Sequence, residues 1–146
     1  MIVRFKKTKP EVVLPSYESK GASGMDVRAF LPEGPVVIPG GEWRLIPTGL
    51  CAVIPYGYEI QVRPRSGLAY RNGITCLNTP GTIDSDYRGE IKVNLINHSK
   101  EDFVVEDGLR IAQLVGAKVE MVEILLSEDL DETERGEGGF GSTGVK

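Results

Sequence analysis

At 146 residues and a formal net charge of −4 at pH 7, the chain suits one domain with one core, and its charge excludes a broad basic face for nucleic acid while leaving room for a local cationic pocket. Its 18 glycines and 9 prolines make about 18% of the residues against an average near 12%, which breaks the chain with turns too often for long helices. Two cysteines, Cys51 and Cys76, and one histidine, His98, exclude a disulfide framework and a zinc site. Each cysteine lies in an apolar run, where a buried reduced thiol is expected. No apolar stretch has the length of a signal peptide or a membrane span, so the expectation is a soluble, cytoplasmic protein without nucleic-acid or membrane partners.

In chain order, short runs rich in Val and Ile predict strands from Ile2 to Phe5, Val12 to Leu14, Val36 to Ile38, Leu50 to Ile54, Glu59 to Val62, Ile91 to Asn97, Phe103 to Val105, Ile111 to Val115 and Val119 to Leu126. Ile91, Val93 and Leu95 alternate with Lys92 and Asn94, the period of two that sets one sheet face against a core. Turn chemistry separates the runs at Pro39-Gly40-Gly41, Pro55-Tyr56-Gly57, Asn72-Gly73, Pro80-Gly81 and Asp107-Gly108. The pattern predicts an all-β fold, a β-sandwich or jelly roll. His98 falls in a polar turn, Asn97 to Lys100, and is given no catalytic role.

One helix of about two turns is expected over Ser66 to Arg71, with Ser66 as its N-cap residue and Asn72-Gly73 as its left-handed close. It is entered through Arg63-Pro64-Arg65-Ser66, so backbone N–H groups, the helix dipole, two guanidinium groups and a hydroxyl converge in the outline of an anion site. From Leu77 to Glu90 the sequence reads as two strand ends around a tight turn at Pro80-Gly81. With Ile83 turned inward, Asp84 points to the other face; Asp86 would join it only in a regular strand, which Gly89 argues against. Asp26, after Gly24-Met25, is another carboxylate beside a glycine.

The last informative segment runs Arg-Gly-Glu-Gly-Gly-Phe-Gly-Ser-Thr-Gly from Arg135. Residues 136–141 match G-x-G-x-x-G in form only, because a dinucleotide site needs a strand before, a helix after and an acidic residue about 20 positions on. No Lys-Ser or Lys-Thr follows the glycines, so the Walker pattern fails as well. A flexible segment remains, with one cation, one aromatic ring and two adjacent hydroxyls, able to close over a ligand that has both an anionic part and a flat ring.

Together these segments resemble the deoxyuridine triphosphatase (dUTPase) family, whose five ordered motifs have counterparts in Ala22 to Asp26, Arg63 to Ala69, Asn78 to Glu90, Gly108 to Leu114 and Arg135 to Gly144. The first departs slightly, with Ser23 where the family often has alanine. The resemblance implies a homotrimeric, jelly-roll-like β-sandwich of the β-clip type, with residues 1–134 as the β domain and residues 135–146 as an arm that closes a neighbouring subunit's site. It implies Mg²⁺-assisted hydrolysis of dUTP to dUMP and pyrophosphate by water attack at the α-phosphorus, which limits uracil incorporation into DNA and supplies dUMP for dTMP synthesis. Each site would take its first, second and fourth motifs from one chain, the third from a neighbour and the tail from the remaining one.

Carried over residue by residue, the resemblance makes Asp84 the general base, in contact with the sugar 3′-hydroxyl. Arg65, Ser66 and Arg135 would offset the triphosphate charge with Mg²⁺, while Gln113, Ser142 and Thr143 add neutral donors. Asp26 would meet the metal through water, since Mg²⁺ keeps several of its waters. The main chain from Gly73 to Asn78 and the Asn78 amide would read uracil; Tyr87 would pack under deoxyribose and Phe140 over the base. Gly67, Gly81, Thr82, Ile83, Lys92 and Gly141 complete the substrate-binding set. The fold also resembles dCTP deaminase, but that group uses a glutamate on the strand after the third motif, and Ile91 to Asn97 has none. A nucleotide-sensing trimer without chemistry would have no need of Asp84.

Overall fold

The computed structural model of the chain describes residues 1–142 and 144. Among these, strands β1 (Arg4–Lys7), β2 (Met25–Arg28), β3 (Val36–Ile38), β4 (Trp43–Val53) and β5 (Tyr58–Pro64) precede the single helix α1 (Ser66–Asn72). Strands β6 (Ile74–Cys76), β7 (Gly81–Ile83), β8 (Ile91–Asn97), β9 (Phe103–Val105) and β10 (Arg110–Lys118) follow it. Two four-stranded antiparallel sheets result, ordered β1-β4-β8-β6 and β2-β10-β5-β7, with a two-stranded β3-β9 ribbon. One apolar cluster draws on both sheets, including Ile46, Leu50, Val93 and Leu95 from the first and Val27, Ile60, Ile111 and Leu114 from the second. The fold is the all-β sandwich that the strand pattern predicts.

Strand β8 shows how the pattern makes the layer. Ile91, Val93, Leu95 and Asn97 are buried, whereas Lys92 is exposed and Asn94 and Ile96 are half-buried. Each fully buried aliphatic side chain contributes about 1.5–3 kcal/mol. Asn97, a polar residue at 0% exposure, is tolerated because its hydrogen bonds are made: Nδ2 donates to the Ile38 and Glu101 carbonyls (2.9 and 2.7 Å), and Oδ1 accepts from the Ser99 N–H and hydroxyl (2.9 and 2.7 Å). Asn97→Leu leaves buried groups without partners and should cost about 3 kcal/mol. Urea denaturation checks this, and an unchanged midpoint would remove Asn97 from that role.

Several elements differ from the sequence expectation, each for a local reason. The strand expected from Leu50 is the second half of the eleven-residue β4, which Pro47 and Gly49 obscure in the sequence. They are accommodated at a bulge: the β4–β8 register shifts between Pro47 and Leu50, Gly49 takes φ +69°, and the Thr48 hydroxyl donates to the Ile91 carbonyl at 2.6 Å. The first strand lies two residues later than expected, paired with Leu50–Val53. Val12 to Leu14 forms no strand; Val12 is buried against the core and its two successors are exposed. Strands β2, β6 and β7 are too short to stand out by periodicity.

Val119 to Leu126 is not a strand either. The β10–β5 ladder ends at Lys118 opposite Tyr58, and beyond the Val119 N–H, bonded to the Gly57 carbonyl, the run has no strand partner among the described residues. Met121, Val122, Ile124, Leu125 and Leu126 all lie exposed. Among the described residues no helix is long and apolar enough to cross a membrane.

Both cysteines are free, Cys76 buried and Cys51 half-buried. Burial pushes the Cys76 thiol up from 9.0 to about 11, so the fold holds it neutral. Its stabilising share is complete below the ordinary value and is lost as pH rises toward 11. At pH 8 its thiolate fraction is about 10⁻³. Cys76 should therefore resist iodoacetamide in the native protein at pH 8 and react fully in urea; rapid native labelling would contradict its burial.

Candidate active site

A cavity of about 480 Å³ opens between the end of β7 and the start of β8. Asn78, Gly81, Thr82, Ile83, Asp84, Tyr87 and Lys92, all predicted as site residues, line it together with Leu45, Val62, Glu90, Ile91 and Asn94. Strand β7 is anchored by pairing with β5, Ile83 opposite Ile60 and Gly81 opposite Val62. Ile83 is buried and Asp84, the first residue past the strand, is exposed. A Cβ on Gly81 would come within 3.2 Å of the Val62 Cβ and 3.3 Å of the Asn78 Nδ2, so the missing side chain lets the Asn78 amide lie close over β7.

The loop from Asp84 to Glu90 is tied by its own bonds. The Tyr87 N–H donates to the Asp84 carbonyl at 3.2 Å, the Tyr87 hydroxyl to the Glu90 carbonyl at 3.1 Å, and Arg88 to the Ser85 and Tyr87 carbonyls at 2.8 and 2.9 Å. The Tyr87 ring lies so close over Gly89 that no Cβ would fit there. Asp84 also reaches a second cavity, of about 420 Å³, which holds Asp86 and Glu59.

Glu90 and Asn94 line the first cavity although neither was singled out in the sequence. The signal was there: residues 90, 92 and 94 share the polar phase of the β8 alternation. The Glu90 carboxylate accepts the Gly49 N–H at 2.8 Å. A glutamate thus does stand in the cavity, one residue before the strand expected to lack one.

The other predicted residues gather around Asp26, which is 5% exposed. Its Oδ2 lies 3.3 Å from Arg65 Nε and 3.1 Å from an Arg110 nitrogen, and its Oδ1 accepts from Gln113 Nε2 at 3.3 Å. Register brings them together, since Gln113 of β10 sits opposite Asp26 of β2. A Cβ on Gly24 would come within 2.9 Å of the Gln113 Cβ, which accounts for the glycine there. Arg110, not singled out in the sequence, also pairs with Glu18 at 2.9 Å. Arg65 donates to the Arg110 carbonyl at 3.2 Å.

Ser66 and Gly67 open α1 beside this cluster. The N-cap is Arg65, with extended φ −87° and ψ 125° and no side-chain cap bond, rather than the expected Ser66. The Arg65 carbonyl already accepts the Ala69 N–H at 3.1 Å, so Ser66 is the first helical residue and its hydroxyl takes no part in capping. The helix closes on Gly73 at φ 67°, as expected.

The predicted residues therefore form two groups. None of Asp26, Arg65, Ser66, Gly67 and Gln113 lines the Asp84 cavity. The described part of the tail joins neither group: Arg135 Nε donates to the Gly138 carbonyl at 2.7 Å, the Ser142 N–H to the Gly139 carbonyl at 3.0 Å, and Phe140 is fully exposed. Gly141 is exposed beside it, and Thr143 lies outside the described residues.

The donor set around Asp26 bears on Mg²⁺. Two guanidinium groups and an amide already engage its oxygens, and no group of three or more His, Cys, Asp or Glu side chains able to hold a metal occurs among the described residues. Such a carboxylate suits acceptance from a metal-bound water rather than direct ligation.

Comparison with known proteins follows the same lines. The dUTPase family profile matches residues 10–144. The chain is 58% identical over 136 residues to the deoxyuridine 5′-triphosphate nucleotidohydrolase of Maricaulis maris, covering 92% of this chain and 90% of that protein. It is 56% identical over 144 residues to the enzyme of the same name from Nautilia profundicola, with 99% of both covered. Among solved structures it is similar to a mutant dUTPase of Staphylococcus bacteriophage 80alpha with dUpNHpp, at a TM-score of 0.89 and 25% identity over 99% of each chain. The fold is also similar, at a TM-score of 0.80 and 19% identity over 90% of this chain and all of the other, to a mutant dUTPase from phage phi11 of S. aureus that coordinates a structural Mg(II) ion.

Proposed function

The chain belongs to the dUTPase family and is an enzyme that hydrolyses dUTP to dUMP and pyrophosphate, and on that premise we propose how its residues divide the reaction. Asp84 takes the proton from the attacking water and accepts from the sugar 3′-hydroxyl, so sugar recognition and catalysis share one group. Tyr87 packs under the deoxyribose. The Asn78 amide and the main chain from Gly73 to Asn78 read uracil, whose one N–H lies between two carbonyls. The Asn78 amide could flip to suit cytosine, so the backbone carries the discrimination, a mispaired buried group costing about 1–3 kcal/mol. The observation that carries this reading is the exposed Asp84 carboxylate on a cavity whose walls offer an amide, a ring and a lysine. Incubation with dUTP or dCTP tests it: pyrophosphate from dUTP is expected and no ammonia from dCTP, while ammonia from dCTP would favour deamination through Glu90.

Arg65, Ser66, Gly67 and Gln113 grip the triphosphate, with Arg135, Ser142 and Thr143 from the tail. The Asp26 carboxylate holds the Arg65 and Arg110 guanidinium groups in place. Mg²⁺, when bound, neutralises phosphate charge, and Asp26 meets it through a water. These groups reach one nucleotide if each site is shared by three copies of the chain, one giving the Asp26 group, one the Asp84 cavity and one the arm 135–146. Two observations support the trimer. The Asp26 group and the Asp84 cavity are separate within one chain, and the run from Met121 to Leu126, with Leu130, leaves apolar side chains exposed that a second copy can cover. A solution mass of three times 15.9 kDa is expected; the mass of a single chain would remove the shared site.

A further inference from the structure

Among the described residues, Asn94 Oδ1 is the one buried side-chain polar atom without a hydrogen-bond partner. The other buried polar side chains make theirs: Asn97 has four bonds, Thr48 donates to Ile91, and Asp26 holds two arginines and an amide. An orphaned buried acceptor costs about 1–3 kcal/mol, and one that persists in a functional cavity calls for an explanation.

The position of Asn94 supplies one. It lines the Asp84 cavity with Asn78 and Lys92, on the polar phase of β8. Its main-chain carbonyl accepts the Leu77 N–H at 2.9 Å, so the side chain belongs beside the segment ending at Asn78 that we assign to the base. As no donor among the described residues of the chain fixes the amide oxygen and the residue is only half-buried, the amide is free to be oriented by a ligand. We propose that Asn94 is a further substrate-binding residue: its side-chain carbonyl takes a hydrogen bond from the uracil end of the nucleotide, directly or through one ordered water. The cost of leaving that acceptor unpaired in the empty cavity is then recovered on binding.

The proposal rests on the reading of the cavity as the nucleoside site and makes an unusual double expectation. Asn94→Leu removes the orphan, so the variant should melt at or above the wild-type temperature without ligand. It should also raise KM for dUTP about tenfold with kcat little changed, the loss of about one hydrogen bond made alike in ground and transition states, and the upward thermal shift given by dUpNHpp should shrink. Asn94→Ala, which leaves no acceptor at this position, should raise KM similarly and serves if the leucine variant does not fold. Wild-type KM and a wild-type dUpNHpp shift in either folded variant would overturn the proposal. Asp84→Asn, measured in parallel, separates the two readings. If it is disabled while the Asn94 variants bind normally, only the role of Asn94 falls; if it is fully active, the reading of the cavity falls.

Discussion

Asp84→Asn should lower kcat by roughly 10²–10⁴-fold, the usual worth of a general base, with KM changed only modestly. The substitution keeps the size of the side chain and its capacity to hydrogen-bond a sugar hydroxyl, but an amide oxygen cannot take up the proton of the attacking water. The structure makes this a clean experiment. Asp84 is exposed, and among the described residues its carboxylate makes no ion pair or hydrogen bond within the chain, so thermal stability should stay within about 0.5 kcal/mol of wild type. Steady-state pyrophosphate release measures the effect. Near-normal kcat in the folded variant would take the general base away from Asp84.

Deleting residues 135–146 should leave a folded protein with kcat/KM lower by at least roughly 10²-fold. Aromatic stacking on a base is worth about 1–3 kcal/mol and a charge-assisted bond from Arg135 to phosphate about 1.5–3 kcal/mol, so the arm supplies enough binding to account for such a loss. Its described residues supply nothing to the core. The hydrogen bonds of Arg135, Gly136, Gly138 and Ser142 stay within the tail and its approach at Thr133, and Phe140 touches no apolar neighbour that would bury it. Unfolding midpoints should therefore match those of the full chain. Undiminished turnover by the truncated protein would contradict the closing arm.

Much of this was legible in the sequence, and the exceptions have physical causes. The alternation of Ile91, Val93 and Leu95 predicts the buried face of β8 because a half-buried strand has a period of two, and the same period, read on the other phase, marks Glu90 and Asn94 as cavity residues. The close of α1 at Gly73 follows from the left-handed preference of glycine. The cap of α1 lies one residue earlier than expected, at Arg65, since a serine after an arginine looks like a cap even when the arginine carbonyl begins the helix. Strand β4 reads shorter in the sequence than it is because its bulge uses Pro47 and Gly49, residues that ordinarily end strands. Apolar composition from Val119 to Leu126 suggested a strand, but a strand exists only where another backbone pairs with it, and the chain's own sheet ends at Lys118. In the sequence, the division of the site residues into two groups follows only from the family resemblance, not from periodicity or spacing. That division comes from register, which sets Gln113 opposite Asp26 in one place and binds β7 to β5 in another.

The most direct measurement mixes two disabled proteins. Asp84→Asn chains keep the arm but lack the base, and chains lacking residues 135–146 keep the base but lack the arm. Unfolded together and refolded as a mixture, they should regain a substantial fraction of wild-type pyrophosphate release, because some mixed assemblies bring an intact Asp84 from one copy under an intact arm from another. A mixture that co-assembles yet stays as inactive as its two components would contradict a site built from several chains.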